Sequence, residues 1–321
     1  MKLFPLHLIP NDTRIDFMRI RWVSITVAAL LFVASVGLIA FKGFNYALDF
    51  TGGTVIETRF AKPANVDEVR DRLEQAGYGS AQVQSFGSGT DLLIRLQPRD
   101  GQNTTDANNR TAQEVLAAVS TADNAATVMR TEFVGPQVGK ELALNGIYAA
   151  IFVVVGFLIY IGFRFELKFA IVATLTTMFD VLVVAAFFAA TGREFDLTVL
   201  AGLLSVMGFS INDTIVVFDR VRENFRSLRV EPLEVMNRSI NQTLSRTIIT
   251  SVVFFLSVLA LYLYGGGSLE GLALSQMIGA VIGTLSSIFI ACPLLTVGFL
   301  KVTKQDLLPR AKDDPALARR P

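Results

Sequence analysis

The stretch SINDTIVVFDR, residues 210–220, places the carboxylate of Asp213 inside a segment with no other charge from Leu197 to Phe218. A charge at bilayer depth costs at least ~2.5–3.5 kcal/mol on insertion scales, so it is paired, hydrated or part of an ion path. Two more ionisable residues sit in similar surroundings: Asp180, near the middle of the apolar run 169–190, and Arg246, in the segment NQTLSRTIITS. At 100° per residue, Thr198, Gly202, Ser205, Asn212 and Asp213 fall within about a third of one helix circumference. Thr243, Arg246, Thr247 and Thr250 share a face of the following helix, and Thr177 lies on the face of Asp180.

These residue types suit ion coupling. Burial favours the neutral acid and a neighbouring guanidinium favours the carboxylate, so moving Arg246 towards or away from Asp213 loads or releases a proton. Each charge that crosses carries ~2.3 kcal/mol per 100 mV of membrane potential, enough to drive a conformational step. With antiparallel helices, and Asp213 taken as about 7 Å from the inner end of its own, the spacing predicts Arg246 within a turn or two of Asp213, paired directly or through water. The structural alternative has Arg246 snorkelling to the interface and Asp180 merely satisfying hydroxyls of a neighbouring helix.

The elements that must position these groups are membrane helices. Of 321 residues, 52% are hydrophobic and 18% charged, with a mean hydropathy of +0.49, outside the range of ordinary soluble domains. Apolar stretches at 22–41, 142–163, 169–190, 197–218, 247–264 and 271–300 are each near or above the ~18 residues that span a bilayer. The first is expected to be a retained anchor rather than a cleaved leader, since 21 residues precede it and no small-residue cleavage site ends it. In the sixth, Ser275, Gly279 and Gly283 read as a close packing face, Pro293 as a kink, and the glycines at 265–267 before it as a flexible turn.

Lysine and arginine concentrate in the arm before the first stretch, at Arg164 and Lys168, in 219–246 with six arginines, and after residue 300 with six basic residues; the opposite loops carry only Arg193. The positive-inside rule therefore predicts a cytoplasmic arm (1–21), a first helix (22–41), a domain outside the membrane (42–141), helices two to six (142–300) and a cytoplasmic tail (301–321). Within 42–141, GGTVIETRF alternates like a strand, and NVDEVRDRLEQAG has helical spacing opened by Asn65 and Glu68 and stopped at Gly77. SAQVQSFG and TDLLIRLQP read as a hairpin. Thr111 and Glu114 have capping-box spacing for a second helix, AATVMRTEFV closes as a strand, and the polar stretch 98–110 reads as a loop. The order βαββαβ is that of a ferredoxin-like α+β sandwich.

Several classes are set aside. No basic face interleaved with aromatics points to nucleic acid. The single histidine, His7, and the single cysteine, Cys292, leave no metal site or disulfide to expect, and no nucleophile–base–oxyanion constellation suggests an enzyme.

Four stretches then carry a family resemblance: ALDFTGG at 47–53, FVGPQVGKEL at 133–142, SINDTIVVFDRVREN at 210–224 and NQTLSRTIITS at 241–251. In this order, and over roughly 22–300, the chain resembles the SecD/SecF family of protein-export membrane proteins, related to the resistance-nodulation-division transporters. The resemblance implies a bacterial inner-membrane protein with both termini cytoplasmic and a six-helix bundle forming half of such a transporter. It implies a SecD partner, the SecYEG translocon with YajC and YidC as further partners, a translocating unfolded polypeptide as client, and no bound cofactor. The driving ion is H+, or Na+ in some members. Asp213 matches the family's membrane carboxylate, Arg246 its basic partner and Asp180 a carboxylate of the third helix; Asn212, Thr243 and Thr247 support them. Ala47 departs from the glycine that many members carry, which leaves the local turn open. Two other readings stay open: a self-sufficient small-molecule efflux transporter, expected to need twelve helices, and a passive scaffold, which would not need Asp213.

Overall fold

The structure, a computed structural model, describes residues 13–86, 89–97, 105–303 and 306. His7 and most basic residues of the arm and tail lie outside the described residues. The chain divides into two compact units, 46–149 and the remainder.

After helix α1 (Arg21–Lys42) and a two-residue strand β1 (Asn45–Tyr46) comes a single helical turn α2 (Leu48–Thr51), which leads into β2 (Gly53–Phe60). Helix α3 (Val66–Gln75), strands β3 (Gln82–Phe86) and β4 (Asp91–Leu96), helix α4 (Thr105–Val119) and strand β5 (Ala126–Val134) follow. The sheet order is β3–β4–β2–β5, antiparallel throughout, with a register shift at Glu57/Thr58. Inward residues of the strands (Ile56, Phe60, Leu92, Ile94) meet Val69 and Leu73 of α3 and Val115 and Val119 of α4 in one core. Each such side chain contributes roughly 1.5–3 kcal/mol on burial.

The local signals in this unit mostly hold. Asn65 caps α3 by accepting from the Asp67 amide at 3.0 Å, and Gly77 takes φ +86° just beyond its end. The second helix is a correction: α4 begins at Thr105, so Thr111 is not a cap but a buried residue in mid-helix, and Glu114 instead accepts from the Tyr78 hydroxyl at 2.7 Å. The expected loop 98–110 is therefore helical from Thr105; 98–104 lie outside the described residues. Ala47 has φ −71° and ψ 172°, extended backbone open to any residue, so no glycine is needed there. Gly53 does need to be glycine: its φ is +122° and a Cβ would stand 2.4 Å from the Leu96 carbonyl oxygen.

Among the described residues, six helices are long and apolar enough to cross a membrane. They are α1, α5 (Pro136–Arg164), α6 (Leu167–Thr191), α7 (Leu197–Ser227, after the short strand β6, Glu194–Phe195), α8 (Pro232–Tyr264), and α9 (Gly267–Ser286) with its continuation. The boundaries differ from the apolar runs. The expected domain boundary at 141/142 falls inside the continuous helix α5, and α7 and α8 run several turns into polar sequence. The apolar stretch records membrane thickness, whereas the helix continues until Leu228 turns to extended backbone. The expected flexible turn is a two-residue connection, Gly265–Gly266, with Gly266 at φ +75°. The expected kink is a π-helical turn, Ser287–Ala291, leading into α10 (Cys292–Leu294); it absorbs the amide that Pro293 cannot donate. The helix ends there and not at residue 300.

Helix α9 packs against α6, α7 and α8, and α1 against α6. At one end of the bundle, Asn241 exchanges hydrogen bonds with Ile15 at 3.0 and 2.8 Å, and Asn237 accepts from the Met18 amide at 2.9 Å. At the same end Lys168 holds Asp306 at 2.9 Å. At the other end Asn45 donates to the Gly192 carbonyl at 3.0 Å and Arg193 pairs with Glu270 at 2.6 Å.

Candidate functional site

The bundle interior is assembled along two helix seams. Between α7 and α9 the seam is built from small residues, in parallel register: Gly202 faces Ser275, Val206 faces Gly279, and Ser210 faces Gly283. A Cβ at Gly279 would lie 2.2 Å from a Val206 methyl, so the two backbones approach as closely as glycine alone permits. The predicted packing face of Ser275, Gly279 and Gly283 is therefore present. The α7–α8 seam is antiparallel and pinned at its inner end by buried Asn224, whose amide donates to Ser239 and Gln242, both at 2.9 Å. Three helical turns back from Asn224, this register sets Asp213 opposite Ser251.

Both membrane carboxylates face inward. Asp213 is 2% exposed and accepts a long hydrogen bond, 3.4 Å, from the Ser251 hydroxyl; Ser251 in turn accepts from Thr284 at 2.7 Å. Asp180 is fully buried, and one oxygen, Oδ2, accepts from both the Ser210 and the Ser286 hydroxyls, the latter at 2.9 Å. Among the described residues its Oδ1 has no partner, and neither do the buried hydroxyls of Thr176, Thr177, Thr214 and Thr247. A layer of hydroxyls from α7, α8 and α9 thus surrounds two acids placed on α6 and α7.

The expected Asp213–Arg246 pair is not closed. No ion pair within 4.0 Å joins them among the described residues; Arg246 is exposed on the side of α8, and its charge acts on Asp213 across a longer gap. The reason is helical phase. Thr243, Thr247 and Ser251 form the buried stripe of α8, and Arg246 precedes Thr247 by one residue, about 100° away. The same correction applies on α7, where the buried stripe runs through Gly202, Val206, Ser210, Asp213, Thr214 and Val217 while Ser205 and Asn212 are exposed. Of the expected support, Thr243 is back-bonded to the Ser239 carbonyl at 3.0 Å, Thr247 is buried and unpartnered, and Asn212 lies outside the cluster. Asp213 also lies roughly 21 Å from the end of α7 at Ser227, not 7 Å, because the helix outlasts its apolar run.

Ser210, Ser251, Thr284 and Ser286 went unpredicted. Serines and threonines recur along all these helices, and only the seams select which of them face an acid. Ser210, one turn before Asp213, carried the clearest signal.

An α-helical six-span membrane protein, with a separate sheet-bearing unit after its first span and two carboxylates inside its bundle, is the architecture of a membrane transport component. The family model described as protein export membrane protein SecD/SecF, C-terminal, matches residues 114–299, and the SecD/SecF GG motif matches 37–64. The protein translocase subunit SecF of Pseudomonas aeruginosa is 45% identical, with 93% of this chain and 96% of that protein covered. The SecF subunit of Escherichia coli O157:H7 is 40% identical with 94% of each covered. The crystal structure of SecDF, a translocon-associated membrane protein from Thermus thermophilus, superposes with a TM-score of 0.79 at 35% identity over 90% of this chain. A super-membrane-facing form of SecDF gives 0.65 at 36% identity over 91%. This chain spans 39% of the length of each SecDF polypeptide. The chain belongs to the SecD/SecF family of protein export membrane proteins, on its SecF side. The SecF relatives it matches along nearly their whole length leave the efflux and scaffold readings without support.

The matched GG motif has a physical basis in Gly52 and Gly53. Gly52 has φ +67°, and Gly139 of α5 packs so closely on it that a Cβ there would reach 2.9 Å from the Gly52 amide nitrogen.

Proposed function

We propose that this chain is the SecF half of an export motor that, with a SecD partner, uses the proton motive force to assist late steps of polypeptide translocation through SecYEG. The observation that carries the reading is Asp213: a buried carboxylate at membrane depth, held by one long hydroxyl contact, with a cation near but not in contact. In this reading Asp213 takes up and releases the driving ion, a proton, and Arg246 sets its charge state by approaching and withdrawing. Asp180 belongs to the same interior. The ion reading rests on the chemistry of a single carboxyl among hydroxyls, which suits a proton without further ligands.

The exposed polar residues Ser205, Asn212 and Arg246 support a SecD partner, because lipid would leave them unsatisfied. The resemblance extends this to YajC and YidC around the translocon. The strand order β3–β4–β2–β5 supports a ferredoxin-like reading of the sheet unit, here taken as periplasmic. The clustering of Arg164, Lys168 and the arginines of 219–238 at the end where residues 15–18 dock supports cytoplasmic termini.

The test is export of a preprotein into vesicles carrying this chain with SecD and SecYEG, with and without an imposed proton gradient. Asp213→Asn keeps size and hydrogen bonding but cannot titrate, so it should accumulate normally and lose gradient stimulation. Arg246→Met should behave likewise, and Arg246→Lys should keep part of the activity. Full gradient-stimulated export by Asp213→Asn at normal abundance would refute the reading.

A further inference from the structure

Asp180 is enclosed more completely than Asp213 and has no cation beside it. Its neighbours can be taken element by element, since α6 packs against α1, α7, α9, the π turn and the 3-10 turn Gly298–Leu300. Helix α1 carries no ionisable group between Arg21 and Lys42. Helix α7 offers Asp213, one turn beyond Ser210, and its charged residues from Asp219 onward lie at the inner end. Helix α9 offers only Glu270, sixteen residues before Ser286 and already paired with Arg193. The π turn and α10 add only the buried thiol of Cys292, and the 3-10 turn adds none.

An ionised Asp180 would therefore keep a bare oxygen in a medium that cannot solvate it, with two neutral hydroxyls as its only support. The observed contacts are one-sided. Both hydroxyl contacts, from Ser210 and Ser286, go to Oδ2, with Ser286 also within 3.1 Å of the Gly283 carbonyl, while Oδ1 is bare among the described residues. This suits the neutral acid, with Oδ2 as the accepting carbonyl oxygen and the hydrogen on Oδ1, because a bare neutral O–H costs far less in an apolar interior than a bare ionised oxygen. We propose that Asp180 is a second proton-binding carboxylate of the membrane bundle, distinct from Asp213, loaded at Oδ1 and read out by Ser210 and Ser286. Loading forms the Oδ1–H bond with a proton from water. Unloading returns that proton to water; Thr176 and Thr177, one turn earlier on α6, carry buried hydroxyls without partners among the described residues. The site is tied to Asp213 through two helices: Ser210 and Asp213 are one turn apart on α7, and α9 gives Ser286 to one acid and Thr284, through Ser251, to the other. This deepens the proton-coupling reading above by adding a second position for the ion.

The test is infrared difference spectroscopy of the full chain, co-purified with SecD in lipid nanodiscs and titrated with pH. Wild type should show a protonated-carboxyl C=O band that fades as pH rises, disappears in Asp180→Asn and persists in Asp213→Asn. Because Ser210 and Ser286 donate to the carbonyl oxygen, Ser210→Ala and Ser286→Ala should each move that band to higher wavenumber. These serine variants keep the proposal testable if Asp180→Asn fails to fold. An unchanged spectrum in Asp180→Asn, or an unshifted band in both serine variants, would overturn it. Loss of export by Asp213→Asn is a separate readout, so the failure of one reading does not decide the other.

Discussion

Gly279→Ala should loosen the one seam on which both carboxylates depend. A Cβ at this position would stand 2.2 and 2.7 Å from the two methyls of Val206 and 3.0 Å from its Cβ. Carbon atoms rest at about 3.5–4.0 Å, so α7 and α9 must separate locally by more than ~1 Å. Rotation of Val206 gives little relief, because both methyls are involved and a helical valine has one strongly preferred rotamer. Overpacking of this kind costs about 1–3 kcal/mol, and the backbone on either side of the contact places Gly279 toward the upper end. The displacement also reaches the acids. Gly279 lies one turn before Gly283, and a shift of ~1 Å there would stretch the Ser286–Asp180 contact of 2.9 Å and the Thr284–Ser251 contact of 2.7 Å past hydrogen-bonding range. Thermal melting of the purified chain in detergent should therefore fall by several degrees, at roughly 2–4 °C per kcal/mol for domains of 150–250 residues. Gradient-stimulated export should fall with it. Val206→Ala removes both opposing methyls, so Gly279→Ala with Val206→Ala should recover most of the loss, a coupling of roughly 1–2 kcal/mol in a double-mutant cycle. If Gly279→Ala melted within a degree of wild type, or if the two substitutions were simply additive, the close seam would not exist as described.

Gly53→Ala places a side chain in a left-handed conformation against the Leu96 carbonyl, and should destabilise the sheet unit by about 2–5 kcal/mol; limited proteolysis of the full chain would detect it as faster cleavage within 46–134. Asn241→Ala removes both hydrogen bonds to Ile15, so hydrogen exchange at the Ile15 amide should rise while exchange in 200–215 stays at the wild-type level; unchanged protection of Ile15 would contradict the docking. The bidentate contact from Arg59, at 2.7 and 3.2 Å, holds the Asp91 carboxyl below the usual carboxylate range. Its stabilisation is therefore present above the unfolded value near ~3.9 and lost as pH falls through the lower folded value. Carboxyl NMR of the full chain should show Asp91 titrating at lower pH than ordinary aspartates, and Arg59→Met should return it towards them.

The sequence by itself determined the membrane character, the six spans, the sheet unit between the first two and the identity of the buried acids. Each of these is one-dimensional. An apolar run reports the thickness of the bilayer, strand alternation reports a two-sided sheet, and a lone carboxylate in a charge-free run is conspicuous because burying it is costly. The helix ends were less legible, because α7 and α8 continue through amphipathic polar sequence that hydropathy takes for loop. α4 likewise begins in residues whose composition reads as a solvated segment. What surrounds each acid was decided only by tertiary structure. Asp213 meets Ser251 and not Arg246 because a shift of one residue rotates a side chain by 100° about its helix, and the buried stripe of α8 runs through Thr247 and Ser251. The glycines of α9 revealed a close seam in advance, but not that it would bring Ser210 and Ser286 onto one oxygen of Asp180 and leave the other bare. Such contacts depend on the rotation and register of three helices together, which the periodicity of any one of them does not contain.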